Sequence, residues 1–176
     1  MGAMVTAAAG EILAEPLLLN YARRRLANVV ASLAEHGSFT EYNSPTYTMV
    51  VVEECDRLLH VVKDPACRAS AETLSLHAWQ LIAESFHPST GQWAGPHSRA
   101  YSDRLSASNL ATLSAAVGMS LAVPRPGPGG SGDSVGQNLS GQQARLTPPV
   151  RPCPPQWAER FRRLASPEVE LVRRFI

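Results

Sequence analysis

Apolar residues recur at helical spacing through four stretches of the chain. Leu18, Tyr21, Ala22, Leu26, Val29, Val30 and Leu33 fall three and four apart, with Arg23, Arg24 and Asn28 mostly between them. That pattern predicts a helix over about 11–36, closed by the C-cap glycine of His36-Gly37. Ser44-Pro45 joins a side chain that caps free N–H groups to a proline suited to the first helical position, so a second helix is expected over about 46–63. Met49 to Val52 is β-branched enough to compete as a short strand, but the helix formers that follow favour helix. Asp64-Pro65 repeats the signal and opens a third helix over about 65–86, ended by His87-Pro88. So short a connection makes the second and third helices antiparallel neighbours. A loop over 88–101 leads to a fourth helix over about 103–121 with Leu105, Leu110, Leu113, Ala116 and Val117 on one side.

Beyond residue 122 the pattern fails. Residues 123–155 are rich in Pro, Gly, Ser and Gln and almost free of aromatics, so they read as a disordered linker. The order resumes at 156–176 as one or two short amphipathic helices, with Trp157, Phe161 and Leu164 opposite Arg160 and Arg163. The division is therefore 11–122 as a helical hairpin domain, 123–155 as linker and 156–176 as a helical tail. The fold class is all-α, built of antiparallel helical hairpins.

Composition narrows the function classes. A net charge of +1 over 176 residues gives no electrostatic case for nucleic acid or an anionic membrane surface. The three cysteines, Cys55, Cys67 and Cys153, lack CxxC spacing, so reduced, partly buried thiols are expected, with no metal and no cofactor. Met1 to Leu19 lacks a basic n-region and is interrupted by Glu11 and Glu15, so no signal peptide is read and a cytoplasmic location is the default.

Two short stretches concentrate the candidate chemistry. Phe39 to Tyr47 and Trp93 to Tyr101 both carry phenols, an amide or imidazole, and hydroxyls where connectors ordinarily hold Gly, Asp and Lys. The intervening hairpin is expected to bring them to one end of the molecule, facing each other across a concavity. The motifs Glu41-Tyr42-Asn43-Ser44-Pro45-Thr46-Tyr47 and Ala94-Gly95-Pro96-His97-Ser98-Arg99-Ala100-Tyr101 resemble those of a group of fungal and bacterial (α/α)6-toroid-like proteins. Those are related in architecture to six-hairpin glycosidases and heparinase-type lyases. The resemblance spans roughly residues 20–105 and implies a partial toroid-like array. This chain has Met49-Val50-Val51-Val52 where such proteins place an acidic residue.

That resemblance implies a carbohydrate-active protein of polysaccharide lyase or glycosidase type, or a truncated remnant of one, with an anionic glycan as ligand. β-Elimination next to a uronate carboxylate needs a neutralising group, a base and an acid. Asn43 and Arg99 would neutralise, His97 would be the base, and Tyr47 or Tyr101 the acid. Glu41 and Tyr42 would line the groove and Trp93 would stack on a sugar ring. A glycosidase would want two carboxylates about 5–10 Å apart, and only Glu41 and Asp103 lie near the motifs. The same residues carry a plainer reading: Asn43-Ser44-Pro45 as a helix cap, Gly95 to Ser98 as a turn and cap, Arg99 as the partner of Glu41, Glu53 or Glu54, and Glu53-Glu54 as a solvated face. The alternative function is a non-catalytic helical interaction module that self-associates into a homo-oligomer through exposed inner-helix faces.

Overall fold

The computed structural model describes residues 2–99, 101, 104–121 and 151–163. The described residues are all-α apart from one tiny hairpin. Its elements are α1 (Gly2–Ile12), α2 (Pro16–His36), α3 (Pro45–Val61), α4 (Pro65–Ser85), β1 (Phe86–His87), β2 (Gln92–Trp93), α5 (Ala107–Val117) and α6 (Pro155–Ala158), the last running into a 3-10 turn at Glu159–Phe161. The α3–α4 hairpin is central. The α1–α2 hairpin packs against it, α1 on α3 and α2 on α4.

Three helices start with the same device, an oxygen-bearing cap followed by proline. Glu15, Ser44 and Asp64 each accept a backbone N–H of the first turn, from Leu17, Tyr47 and Cys67 respectively. Proline follows in each, at a position whose N–H would have no helical partner. The Glu15-Pro16 start corrects the single helix expected over 11–36. The chain breaks at Leu13 to Glu15, where Ala14 has φ 51, a left-handed conformation that costs an L-residue about 1 kcal/mol. The segment before the break is a helix of its own. Gly10 lets α1 close on α2, because a Cβ there would stand 2.8 Å from the backbone nitrogen of Leu19. Gly37 and Gly118 end α2 and α5 in the left-handed conformation, with φ 68 and φ 66.

The turn between α3 and α4 is held by polar contacts from the other hairpin. Glu11 of α1 accepts the backbone N–H groups of Lys63 and Asp64. Arg23 of α2 grips the Asp64 carboxylate through Nε, at 3.1 and 3.2 Å, and through Nη2. The guanidinium holds the Asp64 carboxyl down at about 2.

Two apolar clusters run along the central hairpin. One joins α1 and α2 to its turn end through Leu26, Leu33, Leu58, Leu74 and Ala71. The other joins its open end to α5 and the segment near 160 through Trp79, Ile82, Phe86, Trp93, Leu113 and Phe161. Phe39 and Val51 touch both. Trp79 and Phe86 are core, as expected from their helical spacing.

Several sequence expectations are corrected here. Glu54 is buried rather than part of a solvated face, and Arg57 pairs with both Glu53 and Glu54. The fourth helix is shorter than 103–121, because Ser106 caps it and Gly118 ends it. The expected disordered linker over 123–155 lies outside the described residues up to 150. Its last residues are ordered against the body: Cys153 is buried, and its N–H donates to the Ala116 carbonyl at 2.8 Å. The tail expected over 156–176 is helical from Pro155 to Phe161, and 164–176 lies outside the described residues. No helix among the described residues is long and apolar enough to cross a membrane.

Candidate functional site

The two motif stretches lie against each other at the open end of the α3–α4 hairpin. The first is the entry to α3. The second leaves α4 through the β1–β2 hairpin, whose register pairs Phe86 with Trp93 and His87 with Gln92. The strands were not expected from sequence. They turn the chain back so that Trp93 to Tyr101 passes over the α3 N-terminus.

Asn43 is the centre of the junction. Its amide nitrogen donates to the carbonyls of Ala94, at 2.9 Å, and Pro96, at 2.7 Å. Its amide oxygen accepts the Trp93 indole N–H at 2.6 Å. Both amide protons are thereby used and the oxygen is engaged, which removes Asn43 as a ligand for a carboxylate. Its φ of 46 is left-handed, a conformation that asparagine tolerates better than most residues. Ser98 adds two bonds to the Tyr42 carbonyl, from its N–H at 3.2 Å and from its hydroxyl. Sequence reasoning read Ser98 only as part of a turn and helix cap; the cap of α5 is Ser106, and Ser98 instead bonds the other motif. Trp93 is 5% exposed and packed in the core, so it has no free face for a sugar ring. That corrects its expected stacking role.

What faces outward is a second layer built on this clasp. His97 Nδ1 lies 3.1 Å from the Asn43 carbonyl. A carbonyl only accepts, so Nδ1 carries the proton of that bond, which in the neutral ring leaves the lone pair on Nε2. The hydroxyls of Tyr47 and Tyr101 are 2.9 Å apart, with Tyr101 70% exposed. The Arg99 guanidinium sits over the Tyr47 ring, 6.0 Å from its centroid, and reaches the Glu41 carboxylate at 3.9 Å. Arg99 also has a left-handed φ of 47, held by the clasp on its neighbour Ser98. The bond from Tyr101, and then the Arg99 guanidinium, pull the Tyr47 phenol below its ordinary range. Tyr101 is pushed up, first by its bond to Tyr47. Either hydroxyl of the pair can donate to the other.

All eight residues singled out from sequence, Glu41, Tyr42, Asn43, Tyr47, Trp93, His97, Arg99 and Tyr101, belong to this junction. They divide into an inner set spent on holding the loop and an outer set of His97, Tyr47, Tyr101, Arg99 and Glu41. Asp103, the partner considered for Glu41, lies outside the described residues. The thiols supply no nucleophile: all three are free and buried, and burial pushes Cys55 and Cys153 up to about 12 and Cys67 to about 11. Among the described residues, no group of three His, Cys, Asp or Glu is arranged to hold a metal ion.

A family model described as a domain of unknown function (DUF8769) matches residues 1–122. No curated protein and no solved structure matches the chain.

Proposed function

We propose that this chain, which belongs to the DUF8769 family, is a carbohydrate-active protein of lyase type. In this reading its helical hairpins form a partial toroid-like array and the outer layer of the motif junction takes an anionic glycan. The observation that carries the reading is the exposed Tyr47–Tyr101 hydroxyl pair beside the Arg99 guanidinium. Arg99 neutralises the uronate carboxylate, alone now that Asn43 is spent. His97 Nε2, on a ring fixed through Nδ1, removes the proton next to that carboxylate. Tyr101 protonates the departing glycosidic oxygen, and Tyr47 positions Tyr101. The carbon–oxygen bond breaks, a carbon–carbon double bond forms in the uronate, and the cycle closes as the proton taken by His97 passes to solvent and the Tyr101 phenolate takes one back from it.

The test is turnover of pectate, alginate and heparin by the full chain, read as absorbance of the unsaturated product. His97→Ala and Tyr101→Phe are expected to abolish it while leaving the urea midpoint nearly unchanged. Failure of the wild-type chain to bind any of the three polymers sinks the reading.

A second reading is favoured by a different surface. Ile12, Leu13 and Leu17 are 78%, 68% and 76% exposed around the α1–α2 turn, an apolar corner of the kind that a second copy of the chain would cover. In that reading the chain is a non-catalytic module that self-associates there. Light scattering across a concentration series distinguishes the two: a monomer at every concentration removes the second.

A further inference from the structure

The segment 151–163 sits on the helical body in the manner of a bound peptide. It enters in extended form as Arg151-Pro152-Cys153-Pro154 and closes with one helical turn and a 3-10 turn. Two backbone N–H groups anchor the entry. That of Arg151 donates to Asp56 Oδ2 on α3 at 2.9 Å, and that of Cys153 donates to the Ala116 carbonyl at the end of α5 at 2.8 Å. The helical end is anchored by Phe161, which is 2% exposed. Its ring lies edge-on to Trp79, at 6.3 Å, and tilted against Phe86, at 5.0 Å. Main-chain bonds at one end and an aromatic in a pocket at the other are the division of labour by which grooves recognise peptides.

Asp56 sharpens the point. It is 4% exposed, and its second oxygen, Oδ1, is buried without a hydrogen-bond partner among the described residues. A buried carboxylate is costly unless its oxygens are bonded. A plain apolar core would not contain one. It fits a groove that captures N–H groups of a chain and is bathed in solvent when the chain leaves. The segment also lies beyond residue 122, where the family match ends, while every group that receives it lies within the match.

We propose that residues 151–163 are an internal ligand seated in a peptide-docking groove of the 2–121 body. The same groove accepts a separate linear peptide of that chemistry: an extended, proline-rich entry followed by a helical turn that presents an aromatic anchor. Residues 122–150 tether the internal ligand. A tether raises its effective concentration, so docking in cis needs only modest intrinsic affinity and leaves the groove open to competition.

The test uses the full chain with a protease recognition sequence inserted between Gly129 and Gly130, cut after folding. The C-terminal piece is expected to co-elute with the body at micromolar concentration. A fluorescent synthetic peptide of residues 151–163, in excess, is expected to displace it and take its place while the helical circular-dichroism signal persists. Phe161→Ala weakens retention of the piece by about a hundredfold, and Arg162→Ala, on the exposed side, leaves it unchanged. Spontaneous loss of the wild-type piece overturns the proposal. So does a piece that never exchanges with the added peptide, or loss of helical signal on displacement, since either makes the segment an integral part of the core.

Discussion

The two ends of the α3–α4 hairpin are both closed by polar seams, and they close differently. At the turn end, Glu11 and Arg23 reach in from α1 and α2 and engage the backbone and carboxylate of the cap. The α4 cap carboxylate there is consumed by the fold. At the open end the closure has two layers. Asn43, Trp93 and Ser98 are consumed in the same way. Above them Tyr101 and Arg99 are exposed, and Tyr47 and His97 half-buried beside them, on a backbone that is already pinned. A polar seam becomes a candidate for chemistry when the scaffold's own hydrogen bonds are complete without its outermost groups. The turn end fails that test for Asp64, and the open end passes it.

The comparison breaks most visibly at Asn43. Asn43→Ala removes three hydrogen bonds, leaves the buried Trp93 N–H without its acceptor, and places alanine at a left-handed φ. We expect a loss of about 4 kcal/mol, at roughly 1 kcal/mol for each bond and for the backbone, read from the urea midpoint. A loss below about 1 kcal/mol would mean that the inner layer holds nothing. The matching change at the other end is Asp64→Ala. It removes a helix cap and the acceptor of Arg23, which is 42% exposed, so the ion pair counts for less than a buried one. About 3 kcal/mol is expected.

A smaller effect separates the ends by pH. Asp64 has a folded value of about 2, below its ordinary 3.8. A carboxyl depressed by folding contributes stability that is fully present above its ordinary value and is lost as pH falls through the folded one. Between about pH 4 and pH 2 the stability gap between wild type and Asp64→Asn should therefore shrink toward zero. No tyrosine of the open end titrates in that window, so Tyr101→Phe should keep a constant offset from wild type there. Parallel urea titrations of the three proteins check both statements.

The hairpin and its caps were legible because proline and an oxygen-bearing cap are local signals. Ser44-Pro45 and Asp64-Pro65 fix where two helices begin, whatever packs on them. The equivalent Glu15-Pro16 passed unnoticed because apolar residues continue at helical spacing across it, and periodicity alone cannot see a break at Ala14. The meeting of the two motifs was legible through the hairpin that joins them. The division of labour within them was not. Nothing in the string says that the Asn43 amide is spent on two carbonyls and an indole, or that Trp93 faces the core, because both depend on a β-hairpin only two residues deep on each side. The amphipathic pattern from 156 onward announced a helix with an apolar side, but the seating of 151–155 was hidden for the opposite reason: its proline-rich composition signals a chain without a core of its own, and its core is supplied by the body.

The smallest change is the sharpest test of the outer layer. Tyr101→Phe removes one exposed hydroxyl and should move stability by less than about 0.5 kcal/mol. It also removes the hydroxyl whose bond chiefly holds Tyr47 below its ordinary phenol range, so the Tyr47 titration should rise, followed as ultraviolet difference absorbance between neutral and alkaline pH. Arg99 remains beside Tyr47 in that variant, so the rise should stop short of the value reached in the Tyr101→Phe, Arg99→Gln double variant. A fixed scaffold with an outer layer free to do chemistry makes both statements true together: the fold does not register the missing hydroxyl, and the neighbouring phenol does. A Tyr101→Phe protein that unfolded markedly earlier would place the tyrosine pair among the groups that hold the loop, and the open end would then resemble the turn end in kind. A Tyr47 titration left unmoved would mean that the two hydroxyls do not meet in solution, and the proton path assigned to Tyr101 would lose its basis.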